Sequence, residues 1–408
     1  KTYSATHNLQ TGNNESGVVY AVSSDLSNRN FDNLDLQNAV FDKADLSNTS
    51  FRNANIDGAR FVFANLSNSN LLDRTGLSNV NLAGVDLSNI NLKGKNLSGT
   101  NLSFVDLSEH DLTGTNLSNA YLSNTILTGV DLSGKNLSGA ILSFVDLSEH
   151  DLVGTNLSDT VLFRTNLSGM DLRTIPLTNA DFRYANLSDS KLLDSLLVNN
   201  NFDHTTLKNI NFAGKDLSGS SFQQAEFDGS DMQNTNLHST NFVQVDFTKI
   251  KNKSLAGAEL YGTSLAHANL AGVDLSGVIM YGTNFWKANL SGQDFTMIVP
   301  AGPANTYPLT LAFVESNLSN SNFEGVDLSH KEEYIQVFEN KGYLNGYASK
   351  IKKELFGEFS QVSLLSAEIR GNDLAVTYVH WSSFAKANLE NANFKNADLQ
   401  YANFYSAN

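Results

Sequence analysis

The 408-residue chain carries a formal net charge of −15 at pH 7 and contains no cysteine. The lack of cysteine excludes disulfide scaffolds, thiolate metal sites and cysteine nucleophiles, and the acidic balance disfavours direct binding to nucleic-acid phosphates. No apolar run approaches the roughly 18 residues needed for a transmembrane helix. With 25 Phe and 13 Tyr, the composition is that of a chain that folds around a core and not of a disordered one.

Residues 1–25 precede the regular part of the sequence, and we expect them to form an N-terminal arm or cap. The chain starts at Lys1, which indicates either a removed leader or an internal start. From Leu26 onwards a Leu or Phe recurs at every fifth position, preceded by Asn or Asp and most often followed by Ser. We call this recurring Leu or Phe the anchor of its pentad.

The period of five persists through most of the chain. From Leu77 to Phe247 the anchor keeps its register over 35 consecutive pentads, after a one-residue offset, and residues 248–254 then add three residues. An α-helix repeats every 3.6 residues and a strand every two, so neither presents a strict period of five on one face. The chain must instead turn a corner every five residues, with each anchor pointing to a common axis.

The segment GTNLSNAYLSNTILTGVDLSG (114–134) resembles the pentapeptide-repeat family, whose pattern is a small residue, Asn or Asp, Leu or Phe, and two variable residues. The resemblance covers roughly 26–299, 311–329 and 364–408. It implies an all-β solenoid, a right-handed quadrilateral β-helix with four pentads per coil. Residues 20 apart then stack on successive coils, at the ~4.8 Å spacing of paired strands.

The chain divides as follows on this reading. Residues 26–299 form the β-helix, 313–329 continue it, and 359–408 form C-terminal coils. Between them, 300–312 is predicted to be a Pro-rich loop, and 330–358 shows the spacing of a small helical insertion. The insertion either covers a weak coil or binds a partner through outward lysines, and the candidates are Lys341, Lys350, Lys352 and Lys353.

The position two before each anchor should be small and face the core. Val105 and Ala120 fit this expectation, but other sides place Lys95 or His110 and His150 there. A buried lysine is costly, so we expect the lysines to reach solvent at corners or to bond carbonyl groups. The two histidines lie two coils apart, ~10 Å, which is too far to share a metal ion, so a structural role is favoured.

Two vertical rows of polar residues are candidate sites. Asp111, Asp131, Asp151 and Asp171 form a carboxylate ladder that either binds Ca²⁺ or bonds the backbone of its own turns. Asn-Leu-Ser sequons recur because the repeat generates them, and in a secreted protein they would be glycosylation candidates. These sequons include Asn96, Asn116, Asn136, Asn156, Asn166 and Asn186.

The leading functional prediction is a non-enzymatic structural or scaffold protein, exported or at the cell surface. An uncapped final coil would let copies associate end to end into filaments. The family resemblance implies an alternative, a cytoplasmic acidic rod that mimics DNA and inhibits or protects a type II topoisomerase. That alternative requires the acidic residues to be concentrated on one face. A filled coil offers no concave catalytic site, and no cofactor is expected.

Overall fold

A computed structural model describes residues 18–73, 76–281, 283–297, 299–300, 311–312, 318 and 384–408, except 396, 398, 400 and 401. The chain divides into two compact units, Lys1–Asn186 and Leu187–Asn408. The described residues contain no α-helix, and none of their short helical turns has the length and apolarity to cross a membrane.

Four pentads close one coil, because residues 20 apart lie side by side as parallel bridges. Asn101 bridges Tyr121, which in turn bridges Ile141 on the following coil. The Leu102 N–H donates to the Tyr121 carbonyl at 2.8 Å, and the Tyr121 N–H donates to the Thr100 carbonyl at 3.0 Å. Each coil therefore satisfies backbone groups of the coils before and after it, as stacked repeats require.

The four sides of the coil are numbered by the anchors of one turn. Side 1 contains Leu107, side 2 Leu112, side 3 Leu117 and side 4 Leu122. A pentad extends from two residues before its anchor to two residues after it, and the same side returns after every four pentads along the regular part of the chain.

A β-turn forms the corner after each anchor. The Val105 N–H donates to the Leu102 carbonyl at 3.1 Å, and Phe104 between them has a φ of 63°. A positive φ at the third residue is typical of a type II turn, which favours Gly or Asn at that place. This explains why Asn or Gly stands two positions after most anchors, as at Asn119 and Gly139.

The anchors fill the interior of the coils. Leu102 is fully buried, and so are Phe202, Phe222 and Phe242, whose successive ring centroids lie 5.1 and 5.3 Å apart. The inward position two before the anchor is also buried, for example at Ala120. The predicted orientation of the anchors and of these small residues is confirmed.

Both predicted changes of register are confirmed. Arg60 bridges Asn81, one residue beyond the regular spacing, and Asn236 bridges Glu259, three residues beyond it because of the insertion at 248–254. The added residues lie at corners, so the sides before and after them keep their alignment. They form short 3₁₀ helices at Asn70–Asp73, Phe247–Lys249 and Lys251–Lys253.

Longer strands occur only near the end of the main repeat, within the described residues. Strand β1 (Glu259–Tyr261) pairs in parallel with β2 (Ile279–Tyr281), with Glu259 opposite Ile279, and β2 pairs with β4 (Val299–Pro300). Strand β3 (Thr283–Asn284) pairs in parallel with β5 (Leu311–Ala312). Two further 3₁₀ helices lie at Asp194–Leu197 and Phe295–Met297.

The predicted boundaries can be compared with these elements. Residues 18–25 already belong to the first coil, since Tyr20 bridges the next coil, so the β-helix begins before residue 26. The predicted loop 300–312 starts in β4 and ends in β5. The helical insertion at 330–358 lies outside the described residues, whereas 384–408 contains the expected turns.

Candidate binding faces

The carboxylates of the first unit are concentrated on sides 1 and 2. Between residues 86 and 171, side 3 carries Asp159 and side 4 carries no carboxylate. The electrostatic field of this stretch is therefore directional, strongly negative on two adjacent sides. Nine carboxylates of sides 1 and 2 produce it: Asp86, Asp106, Glu109, Asp111, Asp131, Asp146, Glu149, Asp151 and Asp171.

The predicted aspartate ladder occupies the same place in four successive coils of side 2. Asp111, Asp131, Asp151 and Asp171 each accept a hydrogen bond from the backbone N–H two residues later, at 2.8, 2.9, 2.9 and 3.3 Å respectively. These are the local bonds by which Asp stabilises a turn. Calcium binding by the ladder remains a prediction.

Hydrogen bonds keep this side ionised. The Thr113 hydroxyl and backbone N–H lower the pKa of Asp111, and the Lys93 ammonium, 3.0 Å away, lowers it further. The hydroxyl and backbone N–H of Ser133 likewise lower the pKa of Asp131. Both carboxyls are therefore charged at neutral pH, and side 2 presents anions to a partner.

The two histidines that face inward are bonded to backbone carbonyl groups. His110 Nε2 lies 3.0 Å from the Leu87 carbonyl oxygen, and His150 Nδ1 lies 3.1 Å from that of Val130. Within the described residues no three His, Asp or Glu side chains are arranged to hold a metal ion. The contacts of both imidazoles are those of structural histidines.

The inward lysines find different environments. Lys95 keeps only 8% of its surface exposed, and burial lowers its pKa against the opposing effect of Asp73. Lys215 forms an ion pair with Asp194. Thr115, a smaller residue, takes the equivalent place one coil after Lys95. Lys95 is therefore buried and does not reach solvent, whereas the Lys215 side chain stays 30% exposed, as expected, and pairs with a carboxylate.

The sequon asparagines differ in exposure: Asn96, Asn116 and Asn136 are exposed, whereas Asn156, Asn166 and Asn186 are half-buried. Their amides bond one another along the stack. The Asn116 Nδ2 donates to the Asn96 Oδ1 at 3.2 Å, and the Asn186 Nδ2 donates to the Asn166 Oδ1 at 3.0 Å. A glycan would attach to these same nitrogen atoms, and glycosylation stays a prediction.

Side 4 of the first unit carries exposed aromatic rings that the sequence analysis does not single out. Phe63, Phe104, Phe144 and Tyr184 all stand at the corner two positions after an anchor. The sequence does contain a signal for them, because that position normally holds Asn or Gly. A ring there becomes conspicuous once the turn conformation is known.

Lysines form two further groups. The inserted corner exposes Lys249, Lys251 and Lys253, and the Lys251 ammonium lies 2.9 Å from Asp231. The candidate partner-binding residues Lys341, Lys350, Lys352 and Lys353 lie outside the described residues, so their role stays a prediction.

Comparison with known proteins gives one family match. The model of the family described as pentapeptide repeats matches residues 23–58, 35–71, 77–119, 115–151, 140–174, 177–214, 216–249, 255–296 and 378–408, well over half of the chain. No curated protein sequence matches the chain.

Solved structures give more distant similarities. HetL, a pentapeptide repeat protein involved in heterocyst differentiation regulation from the cyanobacterium Nostoc sp. strain PCC 7120, is 17% identical over 76% of this chain and 88% of its own, with a TM-score of 0.24. QnrB1, a plasmid-mediated fluoroquinolone resistance protein, is 15% identical over 56% of this chain and 90% of its own, with a TM-score of 0.23. A pentapeptide repeat protein from the Arabidopsis thaliana thylakoid lumen is 18% identical over 36% and 77%, with a TM-score of 0.12.

The assignment does not depend on these distant structural similarities. It rests on the family match over most of the chain and on the bridges between residues 20 apart, which close each coil after four pentads. This chain belongs to the pentapeptide repeat family, whose members fold as right-handed quadrilateral β-helices.

Proposed function

We propose that this chain is a non-enzymatic scaffold that acts by binding proteins on its acidic sides. The observation that carries this proposal is the concentration of carboxylates on sides 1 and 2 between residues 86 and 171. In the described coils the interior is filled by fully buried anchors such as Leu102 and Leu147. The outer sides are therefore the surface through which these coils meet a partner.

The chemistry of the acidic sides indicates a partner with a long basic groove. Nine carboxylates and the two cations of these sides, Lys93 and Arg173, leave a net charge of −7 over five coils, about one charge per 3.4 Å of stack at the ~4.8 Å strand spacing, compared with about one per 1.7 Å in duplex DNA. A DNA-binding protein fits this density. A type II topoisomerase in the cytoplasm, which the chain would inhibit or protect, is the first partner to test.

The test combines a supercoiling assay with direct binding of the purified chain to the topoisomerase at two salt concentrations. The test variant carries Asp111→Asn, Asp131→Asn and Asp151→Asn, because Asn keeps the acceptor oxygen of each turn and removes the charge. We expect binding to weaken at least tenfold and its salt dependence to fall by about a third, because three of the nine carboxylates are removed.

A matched control removes three charges from side 3 through Asp57→Asn, Asp159→Asn and Asp216→Asn. We expect this control to bind and inhibit like the wild-type chain. Equal weakening in both variants would show that only net charge matters and would contradict an acidic binding face. A wild-type chain that does not bind would exclude this partner.

A second candidate is an exported or cell-surface scaffold that is glycosylated and assembles end to end through its β-helix ends. The exposed side chains of Asn96, Asn116 and Asn136 support the glycosylation part of this proposal. Intact mass and negative-stain electron microscopy of the natively purified protein test it together. Added mass at the sequons and long uniform fibres would support it, whereas single unmodified particles would reject it.

A further inference from the structure

Side 4 of the first unit presents aromatic rings to solvent at a regular interval. Phe63, Phe104, Phe144 and Tyr184 have 55%, 61%, 49% and 39% of their surface exposed. Each ring stands two coils from the next, which is about 10 Å at the spacing of paired strands. The corners between them carry other residues, so the rings form a widely spaced row.

Local stability does not account for this row. The four residues have φ values of 54°, 63°, 63° and 63°, in the left-handed region that L-residues with bulky side chains rarely occupy. An exposed ring gains little from the hydrophobic effect, so the strained backbone is not offset by burial. Asn124, at the same corner of an intervening coil, is a residue that tolerates this conformation. Arg164 and Gln224 share this conformation, so the four rings are distinguished by their exposed apolar surface, and that surface indicates a binding role.

At one end the rings build a broad platform. The Phe163 ring centroid lies 5.8 Å from that of Phe144 and 5.0 Å from that of Tyr184. The Arg164 guanidinium carbon lies 5.7, 5.7 and 5.4 Å from the Phe144, Phe163 and Tyr184 centroids. The guanidinium therefore makes a cation–π contact with each of the three rings, and these contacts hold the rings in place.

Toward the other end a shallow groove lies across side 4 from the rings, at the corner between sides 3 and 4. Its lining includes Arg60, Asn81, Asn101 and Tyr121. The Asn81 and Asn101 Oδ1 atoms accept hydrogen bonds from Ala83 and from Ser103, at 3.1 and 2.9 Å. Their Nδ2 groups make no hydrogen bond within the described residues. Carboxamides and a phenol in this groove can donate to and accept from hydroxyl groups.

The charge of side 4 restricts the ligand. No carboxylate occupies the outward positions of this side between residues 81 and 164, although the chain as a whole is strongly acidic. Over that stretch Arg164 is the one cation among those positions, and it is engaged with the rings. At the two ends of the row Asp42 and Asp181 are paired with Arg60 and Arg183, so a polyanion finds too few cations on this side and a polycation finds only anions that are already paired. The surface therefore suits an extended uncharged ligand.

We propose that side 4 of the first unit binds a neutral polysaccharide lying along the stack of coils. Sugar rings present apolar C–H faces that pack on aromatic rings, and their hydroxyl groups would bond the amides in the groove. The ring interval of two coils is close to the disaccharide repeat of an extended β-linked glycan. A protein partner is disfavoured because protein hot spots cluster at one centre, whereas these rings are spread in a row. This inference concerns a side other than the acidic ones and does not depend on the proposed function.

Affinity electrophoresis of the full chain tests the proposal. The gels contain hydroxyethyl cellulose, mixed-linkage β-glucan or galactomannan, with polygalacturonate as the anionic comparison. We expect retardation by at least one neutral polymer and none by polygalacturonate. The variant Phe104→Asn with Phe144→Asn should bind about tenfold more weakly, while its melting temperature stays unchanged or rises because Asn suits the left-handed corner.

The control variant is Gln224→Asn, at the equivalent corner of side 4 in the second unit, where φ is 56° and no ring stands. It should migrate like the wild-type chain in every gel. The proposal is overturned if no neutral polymer retards the wild-type chain, if polygalacturonate retards it equally, or if the double variant retains full binding. Loss of binding in the control variant as well would likewise reject the assignment to the aromatic row.

Discussion

The column of stacked Phe anchors in the second unit allows the contribution of a single buried ring to be measured. Phe222 is fully buried between Phe202 and Phe242, with ring centroids 5.1 and 5.3 Å away. Truncation to Ala in a packed core costs about 3–5 kcal/mol through lost transfer energy and the cavity left behind. Because the Phe222 ring also lies 5.4 Å from that of Phe227, three ring contacts are lost, and we expect a loss near the upper end of that range, about 5 kcal/mol, for Phe222→Ala.

A second substitution separates the cavity from the ring contacts. Leu is the anchor of side 4 in much of the first unit, for example at Leu122, so Phe222→Leu keeps an accepted anchor shape. The free energy of unfolding of this variant should fall by about 1–2 kcal/mol, mostly through the three lost ring contacts. Urea unfolding at 25 °C, followed by circular dichroism, provides the free energy of unfolding for each variant.

The exposed ring of Phe104 is the matched control for this experiment. Phe104→Ala makes the same chemical change at a site with 61% of its surface exposed, and it should alter the free energy of unfolding by about 0.5 kcal/mol or less. Equal losses for Phe104→Ala and Phe222→Ala would show that burial does not determine the cost of removing the ring. A loss below about 1 kcal/mol for Phe222→Ala would mean that neighbouring coils refill the cavity.

Three further measurements concern a left-handed corner, two hydrogen-bonded carboxylates and a buried lysine. An Ala at position 169 would meet no atom within 4 Å, but φ is +74° there, so Gly169→Ala should lower the free energy of unfolding by about 1 kcal/mol. Gly76→Ala, at an equally open site without positive φ, should leave that free energy unchanged. Urea unfolding measures both. Hydrogen bonds from Ser133 and Arg183 lower the pKa values of Asp131 and Asp181 in the folded protein. The two carboxylates therefore stabilise the fold fully above the unfolded-state pKa near 4, and this contribution is lost as the pH falls further. The melting temperature should be flat from pH 7 to about 5 and fall below about 4, less steeply in the variant with Asp131→Asn and Asp181→Asn. Lys95→Thr places the side chain of the next coil at a buried inward site and should raise the free energy of unfolding by about 1 kcal/mol; a decrease would show that the ammonium group is well compensated.

Much of this architecture could be predicted from residue spacing. The period of five alone implies corners, an axis and inward anchors. The offsets before Leu77 and at 248–254 appear in the structure as the lengthened bridges Arg60–Asn81 and Asn236–Glu259. These predictions succeed because each pentad repeats the same local geometry. An irregular pentad in one coil does not upset the prediction for the next coil, because that coil follows the same five-residue pattern.

Other features required the backbone conformation. The Asn or Gly that normally stands two positions after an anchor makes Phe104 and Phe144 unusual, but the left-handed φ of that corner and the exposure of the two rings become known only with the backbone. The burial of Lys95 depends on the neighbouring coils, which a single pentad does not reveal. The start of the β-helix was missed because Ala21, and not Leu or Phe, stands at the anchor place of the first pentad, although Tyr20 beside it bridges the next coil.

Equivalent positions stack on successive coils, so the number of residues inserted at one point decides which side of the coil every later side chain occupies. Three residues inserted at the corner 248–254 leave the later sides aligned, because the corner absorbs them. An added pentad would act differently. It would move every later side chain by one side of the coil, so that carboxylates now in one column would be split between two. Duplication of two whole coils, as in the copies at 102–118 and 142–158, preserves all four columns at once. Tandem copying in whole coils is therefore a route by which this chain can lengthen a binding face without altering its chemistry.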